Sequence, residues 1–455
     1  MPLSLINPRT FRGTRDFLPN ELLARHRILE TIEEAYRRYG FQPLETPAIE
    51  YLEILTGKSE ENDKLIYEIK RARGEEEESA EAAIALRYDL TVPLARVIAQ
   101  YAELPRPFKR YQIQPVWRAD RPQPRQGRFR EFVQCDADIV GTDSLLADAE
   151  IIALTYEVLR DLGFENFRIR LSSRKLLRGI VSIIDSRDSM FMPICRIIDK
   201  LDKIGDDGVK RELVNLGIGW DKTVWAFDYV RTGFDSCRFN DIRVYLEAND
   251  QSGMGVIGLS EIEKVRLHAL NLGVPETCLA CDPTLARGLD YYTGPIFETV
   301  LPDHPHIGSL SGGGRYDGLV STFSKERVPA TGTTLGLDRI QTALTQLGKF
   351  KPMSSTTQVL VARFDAEGMS ECLQMAAELR KAGLRTEVWY DDDKLKKQFA
   401  YADKQGIPLV VIAGPDERAK GTVALKNLRK QEQKEVAREG LVEMIKAWIT
   451  SEPDV

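Results

Sequence analysis

RYQIQPVWRADRPQPRQGRFREFVQCDADIVG, residues 110–141, holds the two segments on which the fold turns. Residues 109–118 and 128–140 are rich in Tyr, Phe, Val, Ile and Trp, which suit a pleated, half-buried surface, and they predict two strands. RADRPQPRQG at 118–127 is dense in turn formers and arginine, and is longer than a plain hairpin turn. Loops of that length are usually functional or mobile. Arg118 would close the first strand, with Arg121, Arg125, Arg128 and Arg130 in and after the loop. Guanidinium is a planar, permanently charged donor that grips phosphate through two bonds at once. With Arg287 and Arg339 on later elements, these side chains could converge on a triphosphate, and Phe132 among them could stack a base.

Working outward, residues 20–39 carry Leu22, Leu29, Ile32, Tyr36 and Tyr39 at three-to-four spacing, which predicts an amphipathic helix stopped by Gly40. Pro43 and Pro47 punctuate an extended segment over 41–49. Residues 73–81 read as an acidic surface loop. Residues 167–172 predict a strand, and 174 to about 248 a helical module inserted into the fold. Strand and glycine patterns return near 285, in LARGLDYYTGPIFETV, SLSGGGRYDGLV and TGTTLGLDRI. After a linker at 348–357, VLVAR, TEVWY and PLVVIAG alternate with helical stretches at 368–381 and 394–404, which predicts a small α/β domain.

A chain of 455 residues with 43% hydrophobic residues points to two or three domains with true cores. No apolar run approaches the roughly 18 residues that span a bilayer, and the N-terminus lacks the apolar stretch of a secretory signal, so a cytoplasmic protein without a membrane partner is expected. The six cysteines are mostly far apart and read as reduced thiols. Cys278 and Cys281 form one CxxC without the further ligands a zinc site needs, so no metal-binding residues are expected. The net charge is −6, yet residues 106–130 hold eight Lys/Arg against one acid, and 418–438 seven against two. Two basic stretches on an acidic protein suit a polyanion that touches it twice; each could equally be a solvated face.

Three signatures fail. Gly57-Lys58-Ser59 ends like a P-loop, but Leu52 stands where the first glycine belongs. Gly312-Gly313-Gly314 does not make GxGxxG. His306-Ile307-Gly308 and Lys351-Pro352-Met353-Ser354-Ser355 match the class I synthetase signatures only in part, and lie in the wrong places.

GTRDFLP at 13–19, LRYDLTVPLAR at 86–96, the 110–141 stretch, LARGLDYYTG at 285–294, GGGRYDGL at 312–319, GLDRI at 336–340 and KLKKQFAYADKQGIP at 394–408 follow one another in the order of a known family. Through them the chain resembles histidyl-tRNA synthetase, a class II aminoacyl-tRNA synthetase, over nearly its whole length. The resemblance implies an α+β fold: an antiparallel-sheet catalytic domain with a helical insertion, followed by a small α/β anticodon-binding domain. Its parts would be 1–173 (motifs 1 and 2), 174–255 (the insertion), 256–347 (histidine motifs and motif 3), the linker 348–357, and 358–455. It implies a homodimer joined near Pro47, with ATP, L-histidine and tRNA(His) as partners and Mg2+ accompanying the ATP.

Residue by residue, the resemblance implies that Arg118 binds the α-phosphate and positions the carboxylate. Arg287 would sit at the α-phosphate where other class II enzymes use a metal ion, and so serve both catalysis and histidine binding. Phe132 would stack on adenine, with Arg128 beside the nucleotide and Arg339 on the γ-phosphate. Asp89, Thr91 and Gln134 would hold the amino group and carboxylate of histidine. Asp138 and Tyr292 would read its two ring nitrogens, with Tyr291 and Tyr316 lining the pocket. Arg121 and Gln123 would read the acceptor end of tRNA. Other members carry glutamate at the position of Asp138, which is one methylene shorter.

The expected chemistry is attack of the histidine carboxylate on the α-phosphorus of ATP, followed by transfer to a terminal ribose hydroxyl. Two anions must be neutralised and aligned, which fixed arginines accomplish without a side-chain base. A pocket that hydrogen-bonds both ring nitrogens can reject apolar isosteres by ~10⁴. The alternative is a catalytically inactive, synthetase-like regulatory or tRNA-sensing paralogue.

Overall fold

Strands and helices follow the expected order in a computed structural model that describes residues 6–56, 64–70, 83–219, 227–230, 232–234, 238–286, 291–350 and 355–450. The described residues fall into two units. One comprises those of Met1–Arg15 and Ile28–Lys349, the other those of Asp16–Arg27 and Phe350–Val455.

The strands of the first unit are β1 (Gln42–Pro43), β2 (Ile49–Tyr51), β3 (Tyr67–Ile69), β4 (Ile84–Leu86), β5 (Phe108–Trp117), β6 (Glu131–Val140), β7 (Arg168–Ser173), β8 (Leu279–Cys281), β9 (Pro295–Val300), β10 (Ser311–Arg315) and β11 (Ala330–Gly336). Eight form one sheet in the order β1-β5-β6-β11-β10-β9-β7-β8. Its interior pairs are antiparallel, and parallel pairs occur only at its two edges. β2, β4 and β3 make a separate small sheet. The helix Pro19–Arg38 buries Ile28, Ile32, Ala35 and Tyr36 along one face. The Tyr36 hydroxyl donates to the Cys135 carbonyl at 2.8 Å, satisfying a polar tip in an apolar site.

Among the described residues of 174–271, the helices include Arg174–Ile184, Phe191–Ile198, Leu201–Asn215, Phe239–Asn249 and Met254–Asn271. The last crosses the expected boundary at 255 and packs on Arg174–Ile184 and on β7. Gly179, Gly255 and Gly258 let the two backbones meet, since a Cβ at Gly258 would strike the backbone of Leu176. No helix among the described residues is long and apolar enough to cross a membrane.

The second unit is a five-stranded sheet of β12 (Val359–Ala362), β13 (Thr386–Val388), β14 (Leu409–Ile412), β15 (Thr422–Asn427) and β16 (Glu432–Ala437), in the order β13-β12-β14-β15-β16. The first three are parallel, and Met369–Lys381 and Leu395–Gln405 supply the expected helices. β15 and β16 add an antiparallel hairpin where the sequence showed only a basic stretch. Its turn is held by the Asn427 carboxamide oxygen, which accepts from the backbone of Arg429 and Lys430 at 3.0 Å each. In the basic stretch 418–438, Arg418 pairs with Asp365, Lys420 with Glu435 and Arg438 with Glu378.

Candidate active site

The pairing register builds the floor of the site. Residues directly opposite one another on neighbouring strands share a face. One row across the sheet therefore reads Gln112, Asp136, Thr334, Gly312, Glu298 and Arg170. The next reads Arg110, Asp138, Gly332, Gly314, Ile296 and Ser172. Carboxylates and glycines thus share a surface that alternation along the strands alone would assign to solvent, yet Arg110, Asp136 and Asp138 are at most 3% exposed.

Two cavities adjoin over this floor. The first, about 330 Å³, is lined by Arg118, Arg128, Phe132 and Arg339 among others. The second, about 240 Å³, is lined by Asp89, Thr91, Asp138, Tyr291, Tyr292 and Tyr316. Arg118, Gln134, Glu298, Gly312 and Thr334 line both.

In the first cavity, Arg118 follows the end of β5. Its Nε donates to the Tyr88 carbonyl at 2.9 Å, one terminal nitrogen donates to Gln134 at 3.2 Å, and the guanidinium lies 5.1 Å from the centre of the Phe132 ring. Arg339 stands in the first turn of the helix Leu337–Gln346 and donates to the Ser309 carbonyl at 2.8 Å. Its neighbour Asp338 accepts from the Val133 backbone at 3.1 Å and pairs with Arg15 at 2.5 Å, locking this helix start to β6. Gly127 closes the arginine loop at φ +66°, where a Cβ would press on the Asp338 carbonyl at 2.8 Å, so glycine is required on both counts. Arg128 is paired with Asp120 across the same loop.

The second cavity is ringed by carboxylates. Asp89 precedes the helix Thr91–Gln100 and accepts from the Val92 backbone at 3.2 Å. Its other oxygen is buried without a hydrogen-bond partner among the described residues. Burial pushes Asp89 up to about 6, against the pull of Arg118. Burial also raises Asp136 and Asp138, with Arg110 opposing both shifts. One oxygen of Asp138 accepts from the Tyr316 hydroxyl, and the other lies 2.8 Å from Arg110. A Cβ at Gly332 would collide with Asp138, so this carboxylate can fold over the floor only because β11 carries glycine there. Tyr291 packs edge-on to Tyr316 at 5.7 Å and against Tyr292 at 4.9 Å.

A carboxyl raised above its ordinary range favours the folded state while protonated, and that advantage fades as pH rises towards the folded value. Asp89→Asn should therefore stabilise the protein at pH 8, by about 2–3 kcal/mol for a rise from 3.8 to about 6, with the gain shrinking between pH 6 and 4. Melting curves at pH 8 and pH 4.5 test this; a gain independent of pH would remove burial of the charge as its cause.

Of the expected residues, Arg121 and Gln123 line neither cavity and lie exposed on the loop. Arg287 lies outside the described residues, as do Cys237, 57–63, 71–82 and 351–354. Among the eight cations of 106–130, Arg106, Lys109, Arg110 and Arg128 are paired with acids. Cys278 and Cys281 form no disulfide, and no cluster of three or more metal-ligating side chains occurs among the described residues. Sequence reading missed Arg110, Asp136, Glu298 and Asp338. The legible trace of Glu298 is one acid inside the apolar run IFETV.

The family description Histidyl-tRNA synthetase matches residues 13–340, and Anticodon binding domain matches 358–448. The chain is 41% identical to the histidine–tRNA ligase of Gloeobacter violaceus and 42% identical to that of Cytophaga hutchinsonii, each match covering 94% of this chain and 96% of the relative. The crystal structure of histidyl-tRNA synthetase from Nostoc sp. PCC 7120 superposes with a TM-score of 0.84 at 37% identity, covering 97% of this chain and all of that one.

Proposed function

The chain belongs to the histidyl-tRNA synthetase family, and on that premise we propose how its two adjoining cavities divide the work. It activates L-histidine with ATP to histidyl-adenylate and transfers the histidyl group to the 3′ end of tRNA(His). Nothing in the comparisons supports an inactive regulatory role. We assign ATP to the cavity of Phe132 and Arg339, and histidine to that of Asp89 and Asp138. The observation that carries this is the shared lining: Arg118 and Gln134 open on both cavities, where a carboxylate and an α-phosphate would meet.

In this reading Phe132 faces adenine and Arg339 the γ-phosphate, with Arg128 at the mouth. The partnerless oxygen of Asp89 receives the ammonium group of histidine, assisted by Thr91. Gln134 holds the carboxylate beside Arg118, whose charge offsets that developing on the α-phosphate. Arg287 belongs opposite Arg118 by family resemblance. Asp138 and Tyr292 take the two imidazole nitrogens, with Tyr291 and Tyr316 as walls. No side chain need accept a proton, because the nucleophile is already an anion.

Mg2+ fits the donor set. Glu298 is a buried carboxylate opening on both cavities, and Mg2+ is usually bound through one or two carboxylates plus substrate phosphates rather than by an all-protein cage. When bound it would neutralise charge on the departing pyrophosphate. Arg121 and Gln123, exposed on the loop, suit contact with the tRNA acceptor end. The groove between Pro47, Tyr51 and Tyr101, about 870 Å³, with Ile49, Tyr51 and Tyr101 exposed, suits the homodimer contact. We read 174–255 as the insertion, 358–455 as the anticodon-binding domain, and the cytoplasm as the compartment.

The test is amino-acid-dependent ATP–pyrophosphate exchange with each of the twenty amino acids. Exchange with histidine alone is expected. Exchange with another amino acid at comparable efficiency would dismiss the pocket assignment.

A further inference from the structure

The second cavity is lined by four buried carboxylates, Asp89, Asp136, Asp138 and Glu298, and the polar floor beneath them holds Arg110, which has no solvent exposure. Its guanidinium lies 2.8 Å from Asp138 and 3.9 Å from Asp136. It also donates to Gln112 at 3.2 Å and to the Leu90 carbonyl at 3.3 Å, tying β5 and β6 to the loop between Asp89 and Thr91. Its Nε is buried with no hydrogen-bond partner among the described residues. A buried donor left unmet ordinarily costs about 1–3 kcal/mol.

We propose that Arg110 is a positioning residue for amino-acid selection, its guanidinium opposing the protonation of Asp138 and holding that carboxylate turned towards the imidazole of histidine. This rests on the reading that Asp138 meets that ring. Two contacts fix the carboxylate. The Tyr316 hydroxyl donates to one oxygen and Arg110 pairs with the other, which sets its rotation and leaves each oxygen a lone pair. The other groups facing Asp138 favour its protonation or are neutral. Asp136 stands two residues along β6, Asp89 at the start of its helix, Tyr36 on Pro19–Arg38 and Tyr292 on the cavity wall, while β11 offers only Gly332. Without Arg110, desolvation and the neighbouring carboxylates would push Asp138 further towards its protonated form. The neutral carboxyl would lose acceptor strength where an imidazole N–H needs it.

The test compares wild type, Arg110→Met, Arg110→Lys and Asp138→Ala by pyrophosphate exchange between pH 5.5 and 9, with KM measured separately for histidine and ATP. Arg110→Met should raise KM for histidine about tenfold or more, leave KM for ATP within about twofold, and move the acid limb of kcat/KM for histidine upward by about one pH unit. Arg110→Lys, which keeps the charge, should hold that limb in place with KM for histidine within about threefold of wild type. A lysine variant that behaves like the methionine variant would overturn the proposal, as would equal changes in both KM values with an unmoved acid limb. Should Arg110→Met not fold, Arg110→Met/Asp136→Asn, which removes one buried negative charge with the positive one, carries the same split: higher KM for histidine at constant KM for ATP is expected, and parallel changes overturn it. If Asp138→Ala leaves KM for histidine unchanged, the pocket reading itself falls. If Asp138→Ala raises it and Arg110→Met does not, only the role of Arg110 falls.

Discussion

Gly312→Val is expected to abolish histidine-dependent pyrophosphate exchange, by more than about 10³-fold, in a protein that melts at or above the wild-type temperature. Gly312 sits in β10 between Thr334 and Glu298 and lines both cavities. A Cβ there would meet nothing closer than the Phe297 carbonyl at 4.0 Å, so the protein itself has room for a side chain. Valine also favours a strand over glycine. On the proposed assignment this space is nonetheless where the carboxylate and α-phosphate are brought together, and two methyl groups would stand between them. A misplacement of about 1 Å can already cost ~10² in rate. Exchange kinetics and thermal melts read the two halves separately. Activity within tenfold of wild type would show that the reacting groups meet elsewhere.

Arg118→Ala should lower the same exchange by about 10³-fold, and Arg118→Lys by about 10²-fold, because an ammonium cannot span two acceptors as a planar guanidinium does. The loss has a second part. Arg118 is the foremost influence holding Asp89 down against its burial. Without it Asp89 climbs further above 6, and at pH 7 more of it is protonated and unable to bind an ammonium group. KM for histidine in Arg118→Ala should therefore improve between pH 7 and pH 9, whereas kcat stays low throughout. Pyrophosphate exchange across that range measures both. A KM indifferent to pH would uncouple Arg118 from Asp89.

Much of this architecture was visible in the chain. The apolar strands on either side of 118–127, the helix ending near Gly40 and the strand–helix alternation after 358 all follow from periodicity and turn chemistry. The ordered blocks from 13 to 408 carried the family. Arg110 shows what could not be read. It counted only as one of eight cations in a basic stretch, and it has no exposure at all. Arg110, Gln112 and Gln114 on β5, and Gln134, Asp136 and Asp138 on β6, alternate with apolar residues, a pattern that ordinarily marks a solvent face. Only the register, Arg110 opposite Asp138 and Gln114 opposite Gln134, stacks the two polar edges on each other and turns them into the floor of a cavity. Register depends on which strands pair, and that information is not local. The hairpin of β15 and β16 escaped for a related reason: its outer strand is almost wholly exposed and polar, so it lacks the apolar alternation that announces a strand.

The glycine row sets terms for anyone who would redesign this enzyme to accept another amino acid. On the proposed assignment the imidazole lies over a row in which Gly332 and Gly314 carry no side chain. A side chain at Gly332 runs into Asp138, and one at Gly314 meets the Pro295 carbonyl at 2.6 Å and the Tyr292 ring at 3.0 Å. Neither position can be used to shrink or reshape the cavity without disturbing the residues that read the substrate. The adjustable parts are the walls, Tyr291, Tyr292 and Tyr316, which stand on the segments flanking β9 and β10. A library confined to those three tyrosines samples new shapes over an unchanged floor, whereas one that includes the glycines spends most of its members on collisions.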